Sequence, residues 1–431
     1  MRHTLLKSII YDQHEIIRRA VIVPREYEFE EHANYILTGL RRAGKSTILY
    51  GIAQKLIAAG ADWNQIIFIN FEDERLAEFT AEDFNDILLV QSEMSERRGY
   101  FFFDEIQNVA GWERFARRLA DAKERVYLTG SNAAMLSRDM EARLGGRYLT
   151  KQIAPYNFRE FLDAKGIERG EAAILSTRGA GRIRSAFRQY FHFGGFPESL
   201  AFRSPRLYVE NVYQKILLGD IVVRNEIRNA DTMRILIKKI AETVRSDVSY
   251  SKLWASLDAI GLKCSKESVI HYVDYAQQAY LLFSIRNYAA RFAEREGNPK
   301  YYFGDNGLLY LFLTQKDTAL LENLAAVSLY KKYGEQLFYL KSAKTGIDVD
   351  FYLPQEKLAV QVAYSIEGAA REREVANLVK LARFSGEANR YRIITYEEKE
   401  TIETEGIRIE VIPIYEYLLA ETYENETDES A

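Results

Sequence analysis

The sequence is short of several things, and each shortage excludes a class. It has one cysteine, Cys264, so no disulfide can form within the chain and a reducing compartment is expected. Its five histidines (His3, His14, His32, His192 and His271) are scattered without metal-ligand spacing. No G-x-S-x-G element marks a nucleophile elbow. No window approaches 18 uncharged apolar residues, so a membrane span is not expected. The first residues, MRHTLLKSIIYDQHEIIRR, lack the long apolar core and small-residue cleavage site of a signal peptide. A net charge of −4 gives no overall pull toward nucleic acid. No fixed-period repeat is present. What remains is a chain of 431 residues, 47% hydrophobic and 28% charged. These are ordinary globular values, and the length suits several domains of a soluble, cytoplasmic protein.

The most informative stretch is Tyr35 to Gly60, YILTGLRRAGKSTILYGIAQKLIAAG. A short apolar strand meets the loop Gly39-Leu40-Arg41-Arg42-Ala43-Gly44-Lys45-Ser46-Thr47, which opens into a helix with Ile48, Leu49, Ile52, Leu56 and Ile57 on one face. This is G-x-x-x-x-G-K-S between a strand and a helix. The glycines let backbone N–H groups turn inward toward phosphate oxygens, and the helix N-terminus adds partial positive charge. The segment from Gly39 through Arg42, Ala43 and Gly44 to Thr47 is therefore the expected nucleotide cradle. Lys45 reaches the outer phosphates and Ser46 supplies a hydroxyl for Mg²⁺.

Two further strands complete the expected site. Gly99–Gln107, GYFFFDEIQ, reads as a buried strand with two acids at its carboxyl end, where ligands bind in open α/β sheets. Asp104 is expected to support Mg²⁺ and Glu105 to activate water as general base. Arg125–Asn132, RVYLTGSN, ends in small polar residues. Asn132, with Ser131 as the alternative, is placed to orient the water or contact the γ-phosphate. Gln65–Phe71 is a further strand, apolar on both faces. The alternation of strands and helices implies a three-layer α/β/α sandwich with a parallel sheet. The acid pair favours a nucleotide hydrolase over a small-molecule kinase. Trp112, Phe115, Ala116 and Leu119, at helical spacing, are expected to be core.

The set GLRRAGKST, NFEDERL, FFFDEIQNVAGWERFARRLAD, LTGSNAAML, LGGR and APYNFREFL resembles prokaryotic AAA+-type ATPases of the archaeal-ATPase-like group. The resemblance runs nearly the whole chain. It implies ATP as the nucleotide, and no guanine-reading Asn-Lys-x-Asp element appears. It also implies that Arg147, in LGGR, acts on a nucleotide, its own or a neighbour's, with Arg143 as the competitor. A homo-oligomer is thus allowed.

Five segments are expected: an ATPase domain at 1–165, a helical linker with a GGFP turn at 166–228, a winged helix at 229–304, a nuclease-like α/β domain at 305–420 and an acidic tail at 421–431. The winged-helix order is three helices and a hairpin, with the third helix exposing Lys266, Glu267, His271 and Asp274. Two acids on that face oppose phosphate, so a protein partner is as well suited to it as DNA. The C-terminal segment resembles a PD-(D/E)xK nuclease fold. Asp350 takes the first acid position, but the next strand reads Val360-Gln361-Val362-Ala363 where Glu-x-Lys is required. A neutral ligand and an inert methyl cannot sustain metal-assisted cleavage, so nuclease activity is not expected.

Overall fold

A computed structural model describes residues 2–133, 138–289, 297–314, 317–385 and 390–420. The expected acidic tail lies outside the described residues. Two compact units are present, one running to Ala154 and including Gln278–Tyr280, the other comprising Pro155–Gln277 and the chain from Leu281 onward. Among the described residues no helix is long and apolar enough to cross a membrane.

The first unit is built on five parallel strands: β1 (Asn34–Thr38), β2 (Ile66–Asn70), β3 (Tyr100–Asp104), β4 (Arg125–Gly130) and β5 (Tyr148–Gln152). Their order is β2-β3-β4-β1-β5. The apolar runs dictate this arrangement. Phe101, Phe102 and Phe103 alternate faces along β3, yet all three are buried, so both faces must be covered. Each such ring contributes about 1.5–3 kcal/mol by burial. The helices α1 (Arg2–Arg19), α2 (Lys45–Ala58), α3 (Phe84–Met94), α4 (Trp112–Asp121) and α5 (Arg138–Leu144) accompany the sheet. Leu6, Ile9 and Ile10 of α1, Phe84 and Ile87 of α3 and the expected α4 face of Trp112, Phe115, Ala116 and Leu119 share one core with β2, β3 and β4. Phe84 stacks on Phe115 with ring centroids 4.5 Å apart. This is the α/β/α parallel sheet that the sequence implies.

The second unit carries helices and an eight-stranded sheet. Its strands are β6 (Leu282–Asn287), β7 (Lys300–Phe303), β8 (Phe338–Ser342), β9 (Ile347–Leu353), β10 (Leu358–Val362), β11 (Arg390–Thr395), β12 (Glu400–Thr404) and β13 (Ile407–Pro413), in the order β12-β13-β11-β10-β9-β8-β6-β7. The helices Ala230–Thr243, Tyr250–Asp258 and Lys266–Gln278 precede the antiparallel pair β6–β7. That pair is not a free wing, because β6 runs parallel to β8 through Arg286 opposite Phe338 and Asn287 opposite Tyr339. The sheet thus crosses the expected boundary at residue 304. Lys266, Glu267, His271 and Asp274 are all exposed on the third helix. The helix Ala369–Ser385 buries Leu378 and Leu381 against Val349, Ala359, Ile393 and Val411 of the sheet.

The segment Pro155–Lys165, expected with the ATPase domain, belongs to the second unit. Tyr156 N–H donates to Gly195 O at 2.8 Å, and the Tyr190 hydroxyl donates to Tyr156 O at 3.0 Å. Gly194-Gly195, the glycine pair of the GGFP element, is explained by the same packing. Gly194 has φ 73°, and an added Cβ would lie 1.7 Å from Asp305 Oδ1. Asp305 accepts from Gly195 N at 2.8 Å and from Gly307 N at 2.7 Å, and burial pushes its carboxyl up to about 6. The element is a tight backbone junction, which only residues without a side chain can form.

Candidate functional site

The loop after β1 depends on glycine for a physical reason. Gly39 has φ 137°, and a Cβ there would sit 2.0 Å from Ile153 O. Gly44, at φ 98°, is the left-handed residue from which α2 starts. The helix therefore begins at Lys45, and its first N–H groups have no carbonyl partner inside the helix. Between the two glycines Arg42 also adopts a left-handed conformation, at φ 63°. Arg42 and Thr47 are exposed, Ala43 is buried, and Arg25 Nη1 donates to Ala43 O at 3.2 Å.

The strand order places β4 between β1 and β3, so the loop faces the β3 acids across one strand. Lys45 is buried and its ammonium donates to two carbonyls of its own loop, Gly39 O at 3.0 Å and Leu40 O at 3.2 Å. It also stands 3.9 Å from Glu105 Oε1. Ser46 Oγ donates to Asp104 Oδ2 at 2.7 Å. Burial first, and then the neighbouring Glu105 charge, push the Asp104 carboxyl up to about 6, opposed by Thr129, Ser46 and Lys45. Asn132 is buried beyond the end of β4. The structure thus gathers Gly39, Gly44, Lys45, Ser46, Asp104 and Glu105 into one site at the carboxyl edge of the sheet.

Sequence reasoning missed several residues there. Thr129 hydroxyl donates to Asp104 Oδ1 and accepts the Glu105 N–H at 2.9 Å. This one side chain positions both acids, and it holds Glu105 at φ 51°, a left-handed conformation that costs a β-carbon-bearing residue of order 1 kcal/mol. Gln107 Nε2 donates to Glu105 Oε2. Thr38 Oγ1 and Ser131 Oγ, at the carboxyl ends of β1 and β4, are buried hydroxyls without a hydrogen-bond partner. Ser131 is the expected alternative to Asn132, whereas Thr129 carried only the signal of a small polar residue at a strand end.

The two arginines lie elsewhere. β5 pairs with β1 from Tyr148 opposite Asn34, so Arg147 precedes the amino edge of the sheet, whereas the loop follows Thr38 at the carboxyl edge. Four residues of strand separate those edges, roughly 13 Å of rise. Arg147 pairs with Asp121 Oδ1 and donates to Leu144 O and Gly145 O. It borders a cleft of about 550 Å³ with His32, Lys123 and Arg125. Arg143 pairs with Glu113 at 2.9 Å. Arg147 is not brought to the loop of its own chain.

The residues present fit a magnesium nucleotide. A helix-terminal loop supplies backbone donors, a lysine ammonium meets two loop carbonyls and stands near an acid, and a hydroxyl–carboxylate pair is of the hard-oxygen type that Mg²⁺ prefers. The two orphaned hydroxyls border the same edge. Among the described residues no group of three or more His, Cys, Asp or Glu is arranged to hold a metal unaided.

Residues 31–162 match the family model of an AAA domain, and residues 184–319 match that of a domain of unknown function (DUF8612). The parallel sheet of the first unit, with its flanking helices, is a P-loop NTPase fold. An uncharacterised protein of Methanocaldococcus jannaschii is 29% identical over 429 residues, spanning 96% of this chain and 95% of that protein. An uncharacterised protein of Haemophilus influenzae is 28% identical over 393 residues, spanning 89% of this chain and 94% of its own. Among solved structures, a Walker-type ATPase of Pyrococcus abyssi has 15% identity and a TM-score of 0.42, covering 69% of this chain and 99% of that one. AMPPCP-bound DnaA from Aquifex aeolicus has 14% identity and a TM-score of 0.26, covering 62% of this chain and 88% of that one. At these scores neither structural likeness bears on what this chain binds.

Proposed function

We propose that this protein binds ATP with Mg²⁺ at the loop Gly39–Thr47, hydrolyses it to ADP and phosphate, and couples nucleotide state to the modules of its second unit. The observation that carries the reading is the bond from Ser46 to buried Asp104 beside Lys45 and Glu105. The backbone of Gly39, Arg42, Ala43, Gly44 and Thr47 cradles the phosphates. Lys45 exchanges its carbonyl partners for phosphate oxygens. Ser46 and Asp104 would hold Mg²⁺, which supplies charge neutralisation on the phosphates. Glu105 takes a proton from the attacking water, and Asn132 senses the γ-phosphate. Because Arg147 stands at the far edge of its own sheet, its role in catalysis is on the nucleotide of a neighbouring copy. Steady-state hydrolysis of ATP against GTP, run across protein concentration, tests these assignments. Turnover selective for ATP and rising per subunit with concentration is expected. Equal GTP turnover would remove the base assignment, and concentration-independent turnover would remove the role of Arg147.

A second reading is a nucleotide-gated DNA-binding or regulatory switch with slow hydrolysis. It is favoured by the exposed third helix of the three-helix segment, which carries Lys266 and His271 beside Glu267 and Asp274. Duplex DNA that stimulates turnover, with the stimulation fading as salt rises, would support it. No effect at either salt would leave a protein partner as the occupant.

A further inference from the structure

The second unit buries a charge cluster that the nucleotide chemistry does not use. Glu322, on the helix Asp317–Tyr333, is almost completely buried, and Asp350 on β9 is largely so. Two carboxylates brought together in a low-dielectric interior cost several kcal/mol each unless a positive charge joins them. In a catalytic nuclease-like fold a hard divalent cation supplies that charge. Here it is an ammonium. Lys300, from β7, is 3% exposed and lies 3.5 Å from Glu322 Oε1 and 3.2 Å from Asp350 Oδ1.

The remaining acceptors are also filled. Tyr302 hydroxyl donates to Glu322 Oε1 at 2.9 Å, and Arg245 Nε donates to Glu322 Oε2 at 3.1 Å. Val362 N–H donates to Asp350 Oδ2 at 3.0 Å. Gln361, at the position of the missing second acid, accepts from Asp350 N at 2.8 Å. Its amide donates to the Asp348 backbone carbonyl at 3.0 Å and to Glu374 Oε2 at 2.9 Å, so it ties the backbone of β9 to the Glu374 carboxylate. Burial alone would push the Lys300 ammonium down, but Glu322 and Asp350 outweigh it and hold it above the ordinary lysine value. Glu322 and Asp350 together meet Lys300 and Arg245, and each of their four oxygens has a donor. The donors on Glu322 and Asp350 thus fill the acceptor positions that a metal would use.

We propose that the Lys300 ammonium occupies the place of a divalent cation between Glu322 and Asp350, so that the C-terminal sheet is a metal-independent scaffold joined through Lys300 and Arg245 to the three-helix segment. The latent site beneath it is one for a hard cation such as Mg²⁺ or Mn²⁺. This holds whether or not the nucleotide reading does, since its test uses no nucleotide.

The test is Mn²⁺ binding by the full-length protein, wild type and Lys300→Met measured in parallel so that any contribution of the first unit cancels. Removing the ammonium leaves Glu322 and Asp350 with Arg245 as the one cation still bonded to the pair, and should create one additional Mn²⁺ site per chain. With the cation about tenfold above its dissociation constant, the variant's unfolding midpoint should rise by about 3 °C relative to chelator. The double variant Lys300→Met/Asp350→Asn should lose that gain. If Lys300→Met does not fold in chelator, Mn²⁺ added during refolding should recover it. Equal Mn²⁺ stoichiometry in wild type and variant, or no recovery of an unfolded variant by the cation, would overturn the proposal. So would Mg²⁺-dependent nicking of supercoiled DNA by the wild type that Lys300→Met abolishes, since Lys300 would then be serving a bound metal.

Discussion

Two lysines in this molecule sit beside paired acids, and their surroundings set them apart. Lys45 gives its protons to the carbonyls of a glycine loop and keeps 3.9 Å from Glu105. Lys300 gives its protons to two buried carboxylates. Neutral carbonyls hold an ammonium less strongly than carboxylate ions do, so in the proposed function Lys45 would trade partners when a polyphosphate arrives. Lys300 would have to leave two carboxylates behind with Arg245 as the cation bonded to one of them. In the two proposals an ammonium among acids is a binding group in one unit and a fastener in the other. What decides between them is the strength of the partners to be given up.

The comparison can be broken by substitution. The largest expected effect is on stability at the fastener. Lys300→Met, in the absence of divalent cation, should cost about 3–5 kcal/mol in denaturant unfolding, the usual loss when one partner of a buried pair is removed. At the binding site Glu105→Gln should retain nucleotide and lower ATP turnover by roughly 10²–10³-fold, measured in single-turnover assays. Equal turnover would remove Glu105 as the base. A smaller effect comes from pH. The Asp104 carboxyl is raised to about 6, above its unfolded value, so the folded protein holds a proton between about pH 4 and 6 that the unfolded chain has released. This group's contribution to stability therefore falls as pH rises through that window and levels off above about 6. In the proposed site Mg²⁺ would compete with the same proton, so the magnesium-dependent part of nucleotide affinity should fall up to about tenfold per pH unit below about 6. Asp104→Asn should flatten that dependence. The smallest effect is at the surface: Arg143→Ala breaks an ion pair to Glu113 whose arginine is 60% exposed, and should change stability by less than about 1 kcal/mol.

Much of the first unit was legible because its signals are local. The loop Gly39–Thr47 is contiguous, and Asp104 and Glu105 end a run of aromatics that could only be a buried strand. Their mutual placement follows once parallel strands are assumed. Arg147 was half legible. It precedes a strand of the same parallel sheet, which by itself sets it at the edge opposite the loop, and that was not drawn from the sequence. Thr129 was hidden because its importance lies in a hydrogen bond to the next strand, not in a motif. In the second unit the missing Glu-x-Lys could be read, but its replacement could not. Lys300, Glu322 and Asp350 are far apart in sequence, and Lys300 lies on a hairpin expected in a different domain. Only the pairing of β6 with β8 brings that hairpin into the C-terminal sheet.

The claim beneath the functional account is that the Gly39–Thr47 loop holds a magnesium triphosphate through Lys45. Calorimetric titration of the folded protein with ATP and Mg²⁺, repeated with Lys45→Ala, measures it directly. The account predicts saturable binding with one nucleotide per chain, weakened at least about 100-fold in the variant, an expected scale for losing a charge-assisted contact to phosphate. Equal affinity in the two proteins, or no heat of binding from folded wild type, would contradict it.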